Sequence, residues 1–516
     1  MPSMSNINPR PNIIFIFCDD LGWGDVSCLN PDSKIHTPHI DSLADSGITF
    51  TDAHAASAVC TPSRYSLLTG RYCWRTKLKQ GVNGGYSPAL LSPDRMTVAS
   101  MLGESGYTSA CIGKWHVGLD WALREPESSE RPPQKLSTGT RENFDDMVDF
   151  EKPVRNGPVD VGFDYYFGIS ASLDMSPYVY IENDMPTVVP SEIVPRGETP
   201  ESTARKGIGE TGWRHEDVLP ELKRRSIDFI KTQSAAEKPF FLYVPLNAPH
   251  TPVVPNKEFI GKSGCGLYGD FVMEIDQMVG EIVESVEANG ISDNTIIIFS
   301  SDNGPETLTA AYKEQFGHSS AWKYRGMKRD NWEGGHRIPL IASWPGTIEQ
   351  GSTCEQFVEL VDFFATTADI TGFDIPEDAA EDSYSMLPLL LAGDAKNYRD
   401  FAIHHSMQGK WAIRRGKWKL LLHAGSGGNV TENFTREIRF NYQVTEEPQN
   451  GDTAQLYDMD VDPFETTNRF TEFPEIVREL KALCITQIVN GRSTPGSVQQ
   501  NELEGSWKQL EELAAL

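Results

Sequence analysis

Several short apolar runs of this chain end in charged or amide side chains, and that pattern constrains the fold more than any other. Residues 12–18 run into Asp19-Asp20, 108–112 lead to Lys114 and His116, 239–244 lead to His250, and 295–300 lead to Asp302-Asn303. Short apolar runs bounded by polar turns read as buried strands. Residues 338–343 fit a fifth. Helical periodicity fills the gaps at 39–46, 97–104, 218–233 and 267–288. Strands alternating with helices predict an α/β fold: a large mixed, mostly parallel sheet sandwiched by helices. In such sheets ligands gather at the carboxyl ends of the strands, which is where these polar residues fall.

After about residue 395 the pattern changes. Residues 401–406, 411–414 and 418–423 read as short antiparallel strands and 475–488 as a helix. The expected division is a large α/β domain over 1–395 and a smaller α+β domain over 396–516 with a short antiparallel sheet. Residues 120–215 hold no sustained period and read as loops with a few short elements that shape one side of a site. The net charge of −27 argues against nucleic acid or an anionic membrane surface as partner, and requires any anion site to be locally basic. No run of about 18 apolar residues occurs, so no membrane span is predicted. The eight cysteines show neither zinc spacing nor a Cys-x-x-Cys pair. Residues 1–5 lack the basic start and separate apolar segment of a leader. The expected compartment is periplasmic or extracellular if a leader has been removed, and cytoplasmic otherwise. The sequence leaves the oligomeric state open.

Adjacent carboxylates at a strand end repel each other unless a cation lies between them. Asp19 and Asp20 stand this way before Leu21-Gly22, and Asp302 and Asn303 follow another strand before Gly304. Three carboxylates and an amide oxygen make a hard, all-oxygen set that suits Ca²⁺ or Mg²⁺ rather than zinc. Basic residues supply a positive field: Lys114 and His116 in Gly113-Lys114-Trp115-His116, His250 between Pro249 and Thr251, and Lys328 after Gly326-Met327.

Cys60-Thr61-Pro62-Ser63-Arg64 carries the most specific chemistry. Pro62 suits the first position of a helix, which puts residue 60 at a helix N-terminus, where backbone N–H groups favour an anion. A plain thiol there needs a base or an electropositive site to ionise it. The pentapeptide, with Leu68-Thr69-Gly70-Arg71 after it, resembles the signature of type I, formylglycine-dependent sulfatases of the alkaline-phosphatase-like superfamily. The stretches around Lys114, His250 and Lys328 are similar to motifs of that family and follow its order. Arg415-Gly416-Lys417-Trp418 and Leu456-Tyr457-Asp458-Met459 extend the similarity more loosely.

The resemblance implies a sulfatase reaction. Cys60 would be oxidised by a formylglycine-generating maturation enzyme, and its hydrate would attack a sulfate monoester to give a covalent sulfo-enzyme. Ca²⁺, or alternatively Mg²⁺, would sit among Asp19, Asp20, Asp302, Asn303 and residue 60. Arg64 would steady the oxygen of residue 60. Lys114, His250 and Lys328 would grip the sulfate oxygens, with His250 or Lys328 protonating the leaving alkoxide. His116 would hold the second hydroxyl of the hydrate and later take its proton. Ser172 falls where some arylsulfatase-like members carry a sulfate-contacting serine, although Leu173 replaces the histidine expected after it. The implied substrate is a sulfated glycan or small sulfate ester, with exo action on a galactose-type sugar favoured. Residues 174–180, with Tyr178 and Tyr180, offer a sugar-stacking platform. Two other readings are a phosphomonoester or phosphonate hydrolase of the same superfamily and a non-catalytic relative that binds sulfated glycans. The formylglycine motif and the intact ligand set disfavour them.

Overall fold

The computed structural model describes residues 10–124, 144–392, 398–428, 452–502 and 507–515. Residues 1–5 and the expected domain boundary at 395–396 lie outside them. Five parallel strands form the centre of a ten-stranded sheet, in the spatial order Thr295–Ser301, Asn12–Asp19, Phe240–Pro249, Thr108–Lys114 and Tyr165–Ile169. Asn12–Asp19 is apolar on both sides because both faces of the sheet are covered. Ile13, Phe15 and Phe17 point into one core, and Ile14, Ile16 and Cys18 into the other. Helices Cys60–Thr69, Val98–Glu104 and Phe363–Thr371 cover the first face. Pro38–Asp45, Val218–Ser234 and Gly266–Ala288 cover the second.

Parallel strands share one carboxyl edge, and chain direction therefore collects the residues that follow them. Leu340–Ser343, within the fifth predicted run, pairs antiparallel with Thr295–Ser301, so its far end points the other way and delivers nothing to that edge. Two elements differ from expectation. Phe240–Pro249 continues past residue 244 although Pro245 brings no N–H to the ladder; its register against Asn12–Asp19 shifts between Phe17 and Asp19, where proline is tolerated. Tyr165–Ile169 is a core strand inside the stretch read as loops. Its Gly168 broke the apolar run, yet no larger residue fits: a Cβ there would lie 1.7 Å from the Gly113 carbonyl oxygen of the neighbouring strand.

The C-terminal part forms a four-stranded antiparallel sheet of Phe401–His405, Trp411–Arg415, Trp418–Leu421 and Gln455–Asp458, packed against helix Pro474–Val489. It braces the carboxyl edge of the large sheet directly. The Ala58 N–H and the Ser57 hydroxyl both donate to the His405 carbonyl, at 3.0 and 2.8 Å, just before Cys60 in the chain. Among the described residues no helix is long and apolar enough to cross a membrane.

Candidate active site

Cys60 opens the helix Cys60–Thr69 itself, and Pro62 is the third helical residue rather than the first. The opening N–H groups of a helix have no partner in it, so proline is tolerated at that position too. The side chain at 60 is buried, at 2% exposure. Burial pushes its thiol pKa up, with Lys114 and Lys328 opposing and Asp302 and Asp19 reinforcing the shift. A thiol held protonated is a poor nucleophile. Position 60 in its thiol form is therefore inert.

Around it three carboxylates meet three cations. Lys114 Nζ lies 2.6 Å from Asp19 Oδ2, Lys328 Nζ 2.6 Å from Asp20 Oδ2, and Arg64 Nη2 2.8 Å from Asp302 Oδ2. Asp19, Asp20, Cys60 and His250 each offer a ligand atom, all within 4.8 Å of one another. Burial opposes ionisation of Asp19, but Lys114, His250 and Arg64 hold its carboxyl well below the usual range. Burial pushes Asp302 up to about 6, with Arg64 opposing and Asp19 reinforcing the shift. Arg64 spends its fork on Asp302 and on the carbonyls of Lys114 and Leu246, so in this state it ties strand ends together.

Two buried acceptors in this cluster have no donor: Asp19 Oδ1 and Asn303 Oδ1. The Asn303 amide donates to Asp20 Oδ1 at 2.7 Å, and its own oxygen stays unused. Unpartnered buried oxygens beside further carboxylates are what a hard cation satisfies. Asp19, Asp20 and Asn303 thus fit Ca²⁺ or Mg²⁺. Asp302 is more committed, accepting from Arg64 and, at 3.2 Å, from the Asp20 N–H. A second cluster of metal-type donors, His54, His336 and His404, does not fit a cation. The His336 and His404 rings stack at 3.9 Å with 15° between their planes, so their lone pairs run side by side, and Lys419 Nζ stands 3.1 Å from His336 Nε2.

His116 follows Thr108–Lys114 in the left-handed region, φ 58°. Its Nε2 donates to the Asn83 carbonyl at 2.8 Å, and its buried Nδ1 has no partner. Burial, then Lys114 and Arg64, hold its pKa well below the ordinary histidine value. It is a neutral imidazole with one free lone pair. His250, after Phe240–Pro249, has Nδ1 2.5 Å from the Thr251 carbonyl and Nε2 3.6 Å from Asp20 Oδ2, so both ring nitrogens face acceptors. Ser172 lies beside it, its hydroxyl 3.3 Å from His250 Nδ1. The aromatic platform expected at 174–180 is corrected: Tyr178 is buried with its hydroxyl on the Asp174 and Arg205 carbonyls, and Tyr180 stacks on Phe167.

Three residues beside the site were not singled out from the sequence. Thr61 Oγ1 donates to the His116 carbonyl at 2.8 Å and accepts from the Asn83 N–H at 3.1 Å, locking the histidine to the helix. Glu306 stands 3.5 Å from Lys328 Nζ and is bound by Arg329. The available signal was adjacency: Thr61 follows Cys60, Arg329 follows Lys328, and Glu306 shares a post-strand loop with Asp302.

The family model for sulfatases matches residues 11–373, and that for the C-terminal part of N-sulphoglucosamine sulphohydrolase matches 324–489. The chain belongs to the sulfatase family. It is 35% identical over 512 residues to an N-acetylgalactosamine-6-O-sulfatase of Bacteroides thetaiotaomicron, covering 92% of each chain. A solved B. thetaiotaomicron structure, described under the metabolism of multiple glycosaminoglycans, matches with a TM-score of 0.78 at 32% identity, covering 93% of this sulfatase and all of that chain. A phosphonate monoester hydrolase of Agrobacterium radiobacter, 18% identical with a TM-score of 0.54 over 93% of this chain and 95% of that one, shares the fold alone, the alkaline-phosphatase-like architecture. This sulfatase is a sulfuric ester hydrolase.

Proposed function

We propose that this sulfatase removes sulfate from a saccharide, with the 6-sulfate of a galactose-type sugar, N-acetylgalactosamine above all, as its substrate and exo action as its mode. One observation carries the reaction: an inert, buried thiol at a helix N-terminus surrounded by Lys114, Lys328 and Arg64, beside an acceptor set short of a cation. The relative's activity on N-acetylgalactosamine 6-sulfate supports the sugar. Oxidised to formylglycine and hydrated, residue 60 supplies the hydroxyl nucleophile that its thiol does not. Asp19, Asp20, Asn303 and Asp302 would hold Ca²⁺ or Mg²⁺, which would supply positive charge beside residue 60 and the sulfuryl oxygens. Because Cys60 is buried, the maturation enzyme has to reach it before its helix packs.

The chain's own groups divide the remaining work. Each lysine ammonium has three donors, so Lys114 keeps N–H groups for sulfate oxygens while held by Asp19, and Lys328 brings its positive charge to the same oxygens from its pair with Asp20. Lys328, lying between Asp20 and Glu306, is an electrostatic clamp. His250 is the proton donor to the leaving alkoxide, steadied at its side by Ser172. His116, kept neutral with Nδ1 free, is the base that takes a proton from residue 60.

The test is sulfate release from N-acetylgalactosamine 6-sulfate, galactose 6-sulfate and nitrophenyl sulfate, with nitrophenyl phosphate alongside, on protein whose tryptic peptide ending at Arg64 has been weighed. Expected are an aldehyde in place of the thiol and turnover of the sugar sulfates. Faster phosphate than sulfate hydrolysis, or full activity with Cys60 unmodified, would sink the reading.

A further inference from the structure

We propose that Arg329, held by Glu306, is a specificity-determining residue that reads a pair of neighbouring hydroxyl groups on the sugar bearing the sulfate; this rests on the saccharide reading above. Arg329 sits in the left-handed region, φ 85°, a conformation that a side chain this large keeps only when its surroundings impose it. They do. Its N–H donates to the Ala58 carbonyl at 2.7 Å, two residues before Cys60, and its carbonyl accepts from the Met407 N–H at 3.2 Å. A Cβ on Gly428 would come 2.1 Å from that same carbonyl oxygen. The loop carrying Cys60 and two loops of the small sheet thus fix the backbone at 329.

The side chain is fixed as firmly. Glu306 grips the guanidinium end-on, Nη1 to Oε1 at 2.6 Å and Nη2 to Oε2 at 2.7 Å. Glu306 also accepts from the Thr307 N–H and hydroxyl, both at 2.7 Å. Burial opposes its ionisation, but Arg329 and Lys328 hold its carboxyl well below the usual range. Arginine carries five N–H donors in one plane. An end-on pair uses two of them and leaves the side edge, Nε–H with one Nη–H, parallel and unspent. Among the described residues nothing accepts from that edge.

Exposure separates Arg329 from the other cations of the cluster. The side chains of Arg64 and Lys114 are fully buried and that of Lys328 is 5% exposed, whereas Arg329 is 20% exposed. The first three form the floor around residue 60. Arg329, next in the chain to Lys328 and bonded to the loop before Cys60, is the part-exposed member of the group, and we set it where the substrate continues beyond its sulfate. Glu306 cancels its charge, so a second sulfate or a sugar carboxylate would meet a neutral pair and a carboxylate at its flank. Two parallel N–H donors next to a carboxylate suit neutral hydroxyl oxygens instead.

The test compares wild type, R329A and R329K, each with thermal unfolding recorded. Substrates are a 6-sulfated hexosamine, its analogues lacking one hydroxyl each, and nitrophenyl sulfate; inhibitors are inorganic sulfate and the desulfated sugar. R329A should lose about tenfold to a hundredfold more kcat/KM on the sugar than on nitrophenyl sulfate, mainly through KM. Inhibition by the desulfated sugar should weaken far more than inhibition by sulfate. R329K should recover little, because an ammonium does not present two parallel N–H groups. Removing either hydroxyl of the pair should be costly in wild type and nearly free in R329A, the mark of direct coupling. If R329A does not fold, R329K carries the same readouts. Equal losses on both substrates, or deoxy penalties that persist in the variant, overturn the assignment of Arg329 alone. Wild type that cleaves nitrophenyl sulfate but no sugar sulfate overturns the saccharide reading and this inference with it.

Discussion

The side chain at position 60 sits where an anion is welcome and yet burial drives its thiol away from ionisation, so an unmodified thiol there is a poor nucleophile. Cys60→Ala should abolish sulfate release while leaving thermal stability close to wild type, because the neighbours hold one another through Asp19, Asp20 and Asp302. Comparable turnover in that variant would remove residue 60 from the chemistry. The two histidines should fail differently. With His250 as acid, His250→Ala should slow a sugar sulfate far more than nitrophenyl sulfate, whose leaving group needs little proton help. With His116 as base at residue 60, His116→Ala should slow both alike and leave a trapped sulfuryl group on that residue, visible by mass spectrometry of quenched enzyme. Equal leaving-group sensitivity with no adduct would overturn this division of roles. Thr61→Val tests the lock on His116: it strips a partner from the His116 carbonyl and from the Asn83 N–H, about 1–3 kcal/mol for each buried group. Lower kcat and a lower melting temperature are expected together; unchanged kcat would show that His116 needs no such anchor. Asp19, Asp20, Lys114, His116, His250 and Asp302 were legible in the sequence because each ends or soon follows a strand. Arg329 and Glu306 were not, since their pairing joins two loops and has no period to betray it.

At the level of elements, the strands were legible wherever burial on both faces made them continuously apolar, as in Asn12–Asp19. Tyr165–Ile169 was hidden because the glycine that lets it pair also breaks the run. That glycine is a sharp test of the packing. A Cβ at 168 would meet the Gly113 carbonyl oxygen at 1.7 Å, and one at Gly113 would meet the Pro245 carbonyl oxygen at 1.9 Å. Backbone atoms cannot swing aside as a side chain can, so Gly168→Ala should exceed the usual overpacking cost of about 1–3 kcal/mol. It should also lower activity, because the strand pushed away ends in Lys114. Gly103→Ala is the control: nothing lies within 4 Å of its added carbon, and its helix should gain up to about 1 kcal/mol. Melting temperatures for the two variants that moved alike would contradict the close approach of these strands.

Across the whole molecule, the α/β part and the small antiparallel sheet meet at a buried cluster whose members are far apart in sequence. Both sheets are legible in the sequence but this seam is not, since His54, His336 and His404 share no motif. His54 Nε2 is 2.7 Å from Asp52 and 3.9 Å from Glu333; Nδ1 is 2.9 Å from His336. Lys419 stands at His336, Glu359 at His404, and Arg337 and Arg414 at Asp52. Despite these carboxylates, burial lowers the pKa of His54 and holds His336 and His404 well below the ordinary value. The sign of the pH dependence follows. An unfolded chain protonates these rings as pH falls through about 6.5, while the folded protein refuses the protons until lower pH. Stability from the seam is therefore complete above about pH 6.5 and is lost progressively below it, at up to about 1.4 kcal/mol per pH unit for each ring. His404→Gln keeps a donor for the Ala55 carbonyl, 3.3 Å from Nδ1, but takes up no proton. Melting followed from about pH 7.5 down to about 5.5 should fall less steeply in this variant than in wild type, by close to one proton's worth. Parallel curves for the two proteins would mean that the acid sensitivity of this sulfatase resides in its carboxylates and not in the histidine seam.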